Sequence, residues 1–521
     1  MISIFAHLKF MSKRVFSAIL FGVFTVFLAS AQSQELPVKR EFRGVWVATV
    51  TNIDWPSKPG LHSDNQKQEL LRIFDDHQRS GINAIMFQIR PTTDAFYGKG
   101  RELWSKWLTG AQGTAPYPYY DPLEFAIQEA HKRGMELHAW FNPYRAAFSL
   151  SDKEVHPNHI TKQKPEWFFS YGGKKLFNPA LPEVREYIVQ VILDVVKNYD
   201  IDGVHFDDYF YPYPESGRPI PDTDAYIKYG RDFRNITEWR RNNVDMLIQT
   251  LSDSIHTVKN YVKFGISPFG IWQNRSQHPE GSVTNGGSSY VELYADSRKW
   301  VKEGWIDYIN PQIYWPAQHR LAAFENLLDW WSNNAYGRHL YIGQAAYRAA
   351  ENVQGFRNRA ELPNQVRALR NNNRVQGSVY FSSKSLTNNL AGFRDSLRND
   401  LYKYPALQPV MLWRDSIAPQ APLQLTAYVR QPNSVQLNWV APPKSRDSES
   451  AYGYVIYRFK AGEEINTEDA SKIIKISFDG RTTSFIDHTG LKGNTYNYIV
   501  TAIDRLKNES RPSNAALSNI P

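Results

Sequence analysis

The sequence predicts a (β/α)8 barrel followed by a small all-β sandwich. Between residues 43 and 399, short β-type runs alternate with longer stretches of helical periodicity, as expected for a parallel sheet with helical crossovers. Eight such pairs can be counted, which fits a closed barrel better than an open sheet. After a proline-punctuated segment the periodicity changes to two, which is typical of a sandwich.

The eight predicted barrel strands are β-type runs that each precede an amphipathic stretch. They are Arg43–Val50, Asn83–Pro91, Met135–Tyr144, Asp202–Tyr209, Lys263–Ile271, Ile306–Tyr314, His339–Tyr347 and Gln376–Ser385. The clearest predicted helices are Gln68–Ser80, Pro122–Arg133, Glu183–Asn198, Glu238–Asn260 and Leu321–Asn334. Gly81 and Gly134 stand where a helix meets the next strand, a position at which a left-handed C-cap favours glycine.

The rest of the chain is predicted to contain a leader, a linker and a second domain. A basic region, an apolar run and the small-residue pattern Ala29-Ser30-Ala31 predict a signal peptide over residues 1–31. We expect the barrel domain over residues 40–403, a linker over 404–421 and the sandwich over 422–521. Trp439 and the run Thr495–Asp504 resemble strands of a fibronectin type III domain, a resemblance that implies a spacer or a contact surface.

Composition narrows the class of protein. The chain has no cysteine, which excludes disulfides, thiolate catalysis, cysteine-ligated metals and a lipidated cysteine. We therefore expect a secreted protein of the periplasm or the extracellular medium, without stable membrane insertion. The formal charge of +9 is spread along the chain without a basic run, so no nucleic-acid partner is expected. An aromatic content of 14% fills cores and also suits the stacking of sugar rings.

The usual metal and nucleotide motifs do not occur. The 13 histidines include neither His-x-His nor His-Glu-x-x-His, and His138 and His205 stand singly on different strands. A phosphate-binding loop and a serine nucleophile elbow are also missing. We therefore expect neither a metal ion nor another cofactor.

The fourth predicted strand carries the strongest chemical signal, two adjacent acidic residues at its end. It reads Asp202-Gly203-Val204-His205-Phe206-Asp207-Asp208-Tyr209-Phe210. Functional side chains of a (β/α)8 barrel lie at the carboxyl ends of its strands. Two carboxyl groups there can supply a general acid and a carboxylate that stabilises an oxocarbenium-like transition state. The alternative is a solvated pair that caps a loop, or a salt bridge in the barrel mouth.

Other predicted strand ends carry amide, arginine, histidine and aromatic side chains on the same face. Such groups suit a neutral, hydroxyl-rich and N-acetylated ligand, although a single amide at a strand end is more often structural. The candidate substrate-binding residues are Trp46, Gln88, Arg90, His138, Trp140, Asn142, Tyr144, Arg145, His205, Tyr209, Ser267, Asn310, Gln312, Trp315, Gln344 and Tyr347. Asp207, Asp208 and Tyr314 are the candidate catalytic residues.

Several long motifs resemble a known family. They are Glu41–Val50, Asn52–Pro56, His131–Arg145, Asp202–Tyr211 and Pro311–Pro316. Over residues 40–400 the chain resembles the family-ten-like glycosyl hydrolase domain of bacterial envelope proteins. That resemblance implies a glycoside hydrolase acting on peptidoglycan strands stripped of their stem peptides, with a glycan as partner. It also implies that the sandwich could contact glycan or other envelope proteins.

A looser resemblance concerns the mechanism. Chitinase-type enzymes carry an acidic motif on strand four and a tyrosine on strand six, and use the acetamido group of the substrate as nucleophile. Their register falls on Asp202, His205, Asp207 and Tyr209, so the terminal acid is replaced by tyrosine. We expect Asp208 to donate the proton, Asp207 to orient or stabilise the reacting ring, and Tyr314 to assist. Exchanged roles and a covalent glycosyl-enzyme are the alternatives.

Two other functions remain open at this level. A catalytically silent glycan-binding protein would keep the aromatic cleft and form no product. A hydrolase of an environmental or dietary polysaccharide would fit both the secretion signal and the appended sandwich.

Overall fold

Eight parallel strands close into a barrel in the computed structural model, which describes residues 36–148, 155–431 and 433–521. The strands are β1 (Phe42–Val47), β2 (Ala84–Arg90), β3 (Glu136–Phe141), β4 (Gly203–Phe206), β5 (Lys263–Ile266), β6 (Tyr308–Ile309), β7 (His339–Gln344) and β8 (Gly377–Tyr380). Each strand pairs in parallel with its neighbours along the chain, and β1 pairs with β8. The predicted (β/α)8 barrel is confirmed. The predicted signal peptide lies outside the described residues.

A helix follows each strand, and the first seven helices return the chain to the start of the next strand. These helices are α1 (Ser63–Arg79), α2 (Pro122–Lys132), α3 (Pro182–Asn198), α4 (Ile236–Val258), α5 (Ser297–Lys302), α6 (Phe324–Asn333), α7 (Glu361–Arg370) and α8 (Ser383–Thr387). Helix α3 shows why they form, since Val184, Ile188, Ile192 and Val195 recur at helical spacing and are buried. Shorter helices lie at Lys106–Thr109, Ile160–Gln163, Thr223–Tyr229, Ser289–Glu292 and Phe393–Ser396.

The connection after β3 carries a small antiparallel sheet of its own. Its strands are Arg145–Ala147, Phe168–Tyr171 and Lys174–Phe177. This sheet follows the carboxyl end of β3, so it belongs to the face of the barrel on which catalytic loops are built.

The C-terminal domain is a sandwich of two antiparallel sheets. Its strands are β9 (Leu423–Gln431), β10 (Ser434–Val440), β11 (Gly453–Lys460), β12 (Ile473–Ser477), β13 (Ser484–Asp487), β14 (Thr495–Ile503) and β15 (Ala516–Asn519). They form sheets of order β9-β10-β13 and β12-β11-β14-β15. Leu437 and Trp439 of the first sheet share a core with Tyr454, Ile456 and Val500 of the second. The predicted sandwich is confirmed, and its relation to fibronectin type III domains stays a prediction.

The sandwich packs against the end of the barrel at which the strands begin. Lys507 pairs with Glu136 on β3 at 3.0 Å, and Arg505 pairs with Asp200 at 2.6 Å. Met411, from the segment predicted as a linker, is fully buried with barrel-interior residues. Residues Val38–Pro521 accordingly form one compact unit. The described residues contain no helix that is long and apolar enough to cross a bilayer.

Candidate active site

The two acidic residues that follow β4 lie at the carboxyl end of the barrel. Strand β4 ends at Phe206, and Asp207 and Asp208 come next along the chain. Only 6% of Asp207 and 7% of Asp208 is exposed. Both line a cavity of about 330 Å³, which we call the catalytic cavity. The site is therefore at the mouth of the barrel, with two nearly buried carboxyl groups on its wall.

Aromatic side chains form much of the rest of the catalytic cavity. Ten of the residues predicted from the sequence line it, namely Trp46, Gln88, Trp140, Arg145, Asp207, Asp208, Tyr209, Gln312, Tyr314 and Tyr347. Residues that the prediction missed complete it, namely Ala48, Val50, Thr51, Ile53, Phe148 and Phe381. The indole N–H of Trp140 has no hydrogen-bond partner among the described residues. Flat rings with a few polar groups are the lining that a sugar requires.

Asp207 is held by a chain of amide hydrogen bonds from β2 and β3. Asn142 donates from Nδ2 to Asp207 Oδ2, and the backbone N–H of Tyr209 donates to Oδ1 at 3.3 Å. Gln88 donates to Asn142 Oδ1 at 2.7 Å and accepts from the backbone N–H groups of Thr49 and Val50. Asn142 and Gln88 therefore fix the orientation of the Asp207 carboxyl group.

Asp208 accepts hydrogen bonds from two side chains on other parts of the barrel mouth. The Tyr213 hydroxyl donates to Asp208 Oδ2, and Gln312 Nε2 donates to Oδ1 at 3.3 Å. Gln312 is itself anchored to the backbone carbonyl of Ser267 at 3.0 Å. Hydrogen bonds of this kind favour the ionised carboxylate. Tyr213 was not among the predicted site residues, because its spacing from Asp208 along the loop carries no signal of pairing.

The two carboxyl groups perturb each other. Burial, followed by the negative charge of Asp208, raises the pKa of Asp207 from 3.8 to about 7, against the opposing effects of Arg145 and Asn142. Burial also raises the pKa of Asp208, while the bonds from Tyr213 and Gln312 oppose this. Like charges side by side in a buried site do not both ionise readily, so the pair retains one proton near neutral pH. The higher pKa of Asp207 favours Asp207, rather than Asp208, as the group that carries this proton. This is the alternative assignment, in which the two aspartates exchange roles.

Trp46 on the cavity wall is the first member of a hydrogen-bonded chain that runs down the barrel interior. Its indole N–H donates to His205 Nε2 at 3.0 Å, and His205 Nδ1 lies 3.0 Å from the Tyr308 hydroxyl. The same hydroxyl lies 2.9 Å from His138 Nδ1, and His138 Nε2 lies 3.0 Å from Glu136. Because an indole only donates, His205 Nε2 must accept, and each later bond then points toward Glu136.

The two histidines of this chain are neutral and lie below the cavity. Burial holds the pKa of His205 well below its usual range and also lowers the pKa of His138. Both were predicted to bind substrate, and neither lines the catalytic cavity. They support Trp46 instead.

Other predicted substrate-binding residues also lie behind the cavity wall. Arg90 forms a buried ion pair with Glu102 at 2.6 Å and donates to the backbone of Asn142, so its charge is used within the fold. Tyr144 is buried in the hydrophobic core of the barrel domain, and Trp315 packs against that core. Ser267, Asn310 and Gln344 are fully buried, and each has a side-chain polar atom without a hydrogen-bond partner among the described residues. None of these residues lines the catalytic cavity.

The described residues bring three potential metal ligands together at one place, away from the catalytic cavity. Asp415, Asp447 and Glu449 offer carboxylate oxygens within 4.8 Å of one another, and the last two are exposed. Exposed acidic groups of this kind are solvated, and we assign them no role.

An eight-stranded parallel barrel with two acidic groups in an aromatic cavity at its carboxyl end is the arrangement of a glycoside hydrolase. Residues 41–357 match the model of the family described as glycosyl hydrolase-like 10, and the chain belongs to this family. It is a glycoside hydrolase.

Two curated relatives carry the same class of name. Glycosyl hydrolase YngK of Bacillus subtilis is 44% identical over 509 residues, covering 96% of this chain and 97% of that protein. Glycosyl hydrolase DigH of Escherichia coli is 39% identical over 341 residues, covering 62% of this chain and 76% of that protein. A solved PgaB (BpsB) glycoside hydrolase domain from Bordetella bronchiseptica covers 70% of this chain and 98% of that chain at 12% identity and a TM-score of 0.44. That likeness is too distant to bear on function.

Proposed function

We propose that this glycoside hydrolase is exported and cleaves glycosidic bonds in peptidoglycan strands that have lost their stem peptides. The observation that carries the proposal is the buried Asp207–Asp208 pair on the wall of an aromatic cavity, with one proton kept near neutral pH. The leader-type pattern at residues 1–31 and the motifs that resemble envelope glycosyl hydrolases support export and this substrate.

Asp207 acts as the general acid in the proposed reaction. Its pKa of about 7 keeps a large fraction protonated at neutral pH, as an acid that protonates a leaving group requires. The proton passes to the glycosidic oxygen as the bond from that oxygen to the anomeric carbon breaks. Water then attacks the anomeric carbon. Its hydroxyl group stays on that carbon, and its other proton returns to Asp207.

Asp208 stabilises the positive charge that develops while this bond breaks. The Tyr213 and Gln312 donors favour its ionised form, and the carboxylate lines the same cavity as Asp207. In this position it can also orient an acetamido group that attacks the anomeric carbon. Tyr314 lines the cavity, and burial raises the pKa of its hydroxyl well above the usual range, so it stays a neutral hydrogen-bond donor.

Replacing Tyr213 by Phe should move the acidic limb of the pH–rate profile. The Tyr213 hydroxyl bond lowers the pKa of Asp208, so its loss raises that pKa and Asp208 becomes protonated at a higher pH. A hydrogen bond to a charged group is worth about 1.5–3 kcal/mol, so we expect a shift of about one to two pH units. The alkaline limb, where Asp207 loses its proton, stays near pH 7. The measurement is kcat/KM from pH 4 to 9, and Tyr336→Phe, at an exposed tyrosine, is the control. An unchanged acidic limb in Tyr213→Phe would contradict the role given to Asp208.

The substrate is tested by comparing products from three glycans. Peptide-free peptidoglycan, chitin oligomers and plant polysaccharides are incubated with the purified chain, and the products are identified by mass spectrometry. We expect new ends from peptide-free peptidoglycan, at a rate well above that on the other two. Products from a plant polysaccharide alone would indicate an environmental substrate, and binding of glycan without any product would indicate a silent binding protein.

A further inference from the structure

Two smaller cavities adjoin the catalytic cavity. One, of about 180 Å³, shares Phe148 with the catalytic cavity and is also lined by Trp107, Lys162 and Lys175. The other, of about 170 Å³, shares Arg145 and Tyr209 with it and is also lined by Lys174. The three cavities adjoin one another at these shared residues, and we call them together the cleft. A glycan is a chain of linked sugars, so it can reach the adjoining cavities from the catalytic cavity.

Four cations line this cleft without a direct ion pair among the described residues. We call Arg145, Lys162, Lys174 and Lys175 the basic flank. Three of them lie on the small antiparallel sheet after β3, and Lys162 lies on the short helix Ile160–Gln163. No carboxylate of the described residues lies within 4.0 Å of their charged nitrogen atoms, whereas most other buried or half-buried arginines of the barrel form ion pairs.

The positive charges of the basic flank lie close enough together to bind an anion. Burial lowers the pKa of Lys174, and the neighbouring positive charge of Arg145 lowers it further. The guanidinium of Arg145 stacks on Tyr209, 4.3 Å from the ring centroid, which places it beside the catalytic pair. Two carboxyl groups line the same side cavities. Asp94, whose pKa burial raises to about 6, is still largely ionised at neutral pH and lies in the cavity of Lys162 and Lys175, and Glu215 lies in the cavity of Lys174 and opposes the lowering of its pKa. The four cations of the basic flank outnumber these two carboxylates, and an excess of positive charge along a cleft attracts an anionic ligand.

The chemistry of peptide-free peptidoglycan supplies an anion on every second sugar. Each muramic acid carries a lactyl group whose carboxyl is amide-bonded to the stem peptide. Removal of the peptide leaves a free carboxylate, whereas chitin has no lactyl group at all. The two side cavities are smaller than the ~300–1,000 Å³ that drug-sized ligands occupy, so they suit a small substituent rather than a peptide.

We propose that the basic flank binds the lactyl carboxylates of muramic acid residues next to the cleaved bond, and thereby selects glycan strands without stem peptides. The proposal rests on the proposed function and names the group that the cleft recognises. A lysine or arginine forms charge-assisted hydrogen bonds with a carboxylate, and an amide in the same place would leave the cation unpaired.

The test compares one glycan in two charge states. Peptide-free peptidoglycan fragments are used as prepared, or after their carboxylates have been converted to neutral methylamides with a carbodiimide and methylamine. The variants are Lys162→Gln/Lys175→Gln and Lys174→Gln, and Lys197→Gln on the exposed end of α3 is the matched control. The double variant Lys162→Arg/Lys175→Arg restores the charge.

We expect the wild-type chain to cut the carboxylate form at least ten times faster, in kcat/KM, than the methylamide form. In the Gln variants, kcat/KM should fall about ten-fold on the carboxylate form, mainly through a higher KM, and should not change on the methylamide form. In the Arg variant, kcat/KM on the carboxylate form should return toward the wild-type value. Equal losses on both forms, or no loss on either, would overturn the role of the basic flank while the hydrolase activity stands. If the wild-type chain cuts neither form, the proposed substrate is wrong and this inference falls with it.

Discussion

Asp207→Asn and Asp208→Asn should each lower the rate of glycan hydrolysis by about 10³-fold or more. Removing a general acid costs about 10²–10⁴-fold, and removing a group that stabilises transition-state charge costs a similar factor. An amide has nearly the shape of a carboxyl group, so the catalytic cavity is preserved. The measurement is kcat on peptide-free peptidoglycan, followed as the release of new reducing ends.

A control for this experiment comes from the neighbouring side cavity. Asp94 is also buried, and its pKa is also raised to about 6, yet it does not line the catalytic cavity. Asp94→Asn should therefore change kcat only a few-fold. Full activity in both Asp207→Asn and Asp208→Asn would refute the catalytic assignment.

The Asp207→Asn chain should also be more stable than the wild type at alkaline pH. The pKa of Asp207 is raised from 3.8 to about 7 in the folded chain, so the fold disfavours the ionised form. This penalty is absent below pH 4, grows between pH 4 and 7, and is complete above pH 7. It amounts to about 4 kcal/mol at most, at about 1.4 kcal/mol per pKa unit. Thermal unfolding at pH 8 and pH 4 reports it, and a variant that is less stable at pH 8 contradicts the raised pKa.

Deleting the sandwich, residues 422–521, should prevent the barrel from folding. The deletion removes Lys507, which pairs with the fully buried Glu136, and exposes Met411 and other apolar side chains at the start of the strands. Breaking a buried ion pair costs about 3–5 kcal/mol, a large part of the stability of most proteins. We expect an insoluble or inactive product, measured as soluble yield and hydrolase activity.

A single substitution tests the contribution of the Lys507 charge apart from that of the rest of the sandwich. Lys507→Met keeps the domain but leaves Glu136 with Lys263 and His138, so we expect about 3 kcal/mol less stability by denaturant unfolding. Lys492→Met, at an exposed lysine of the sandwich, is the control and should change little. A deleted chain with the stability and activity of the full chain would show that the barrel is independent of the sandwich.

The strand pattern predicted the barrel well because each strand must be apolar and must precede an amphipathic helix. All eight predicted strands overlap an observed strand. The largest difference is β6, predicted as Ile306–Tyr314 and observed as Tyr308–Ile309. Pro311 has no backbone N–H for a sheet ladder, so regular pairing ends before it.

The candidate site was predicted less completely, because alternation along a strand gives the side of a residue but not its depth. His138 and His205 point into the barrel as expected, yet both lie below the cavity, in the chain that ends at Glu136. Arg90 pairs with Glu102 on a loop, and no pattern in the sequence marks that pairing. Phe148 and Tyr213 come from long loops, whose path depends on tertiary contacts.

The position of Lys507 constrains how the chain can reach its native state. This lysine belongs to the sandwich, yet it neutralises a group on the third barrel strand. Domains of a larger protein commonly fold one after another as the chain emerges, starting from the amino terminus. Here the barrel must wait for Lys507 of the sandwich before its interior charges balance. The barrel therefore completes its folding only after the sandwich has been synthesised, and the two domains reach the native state together.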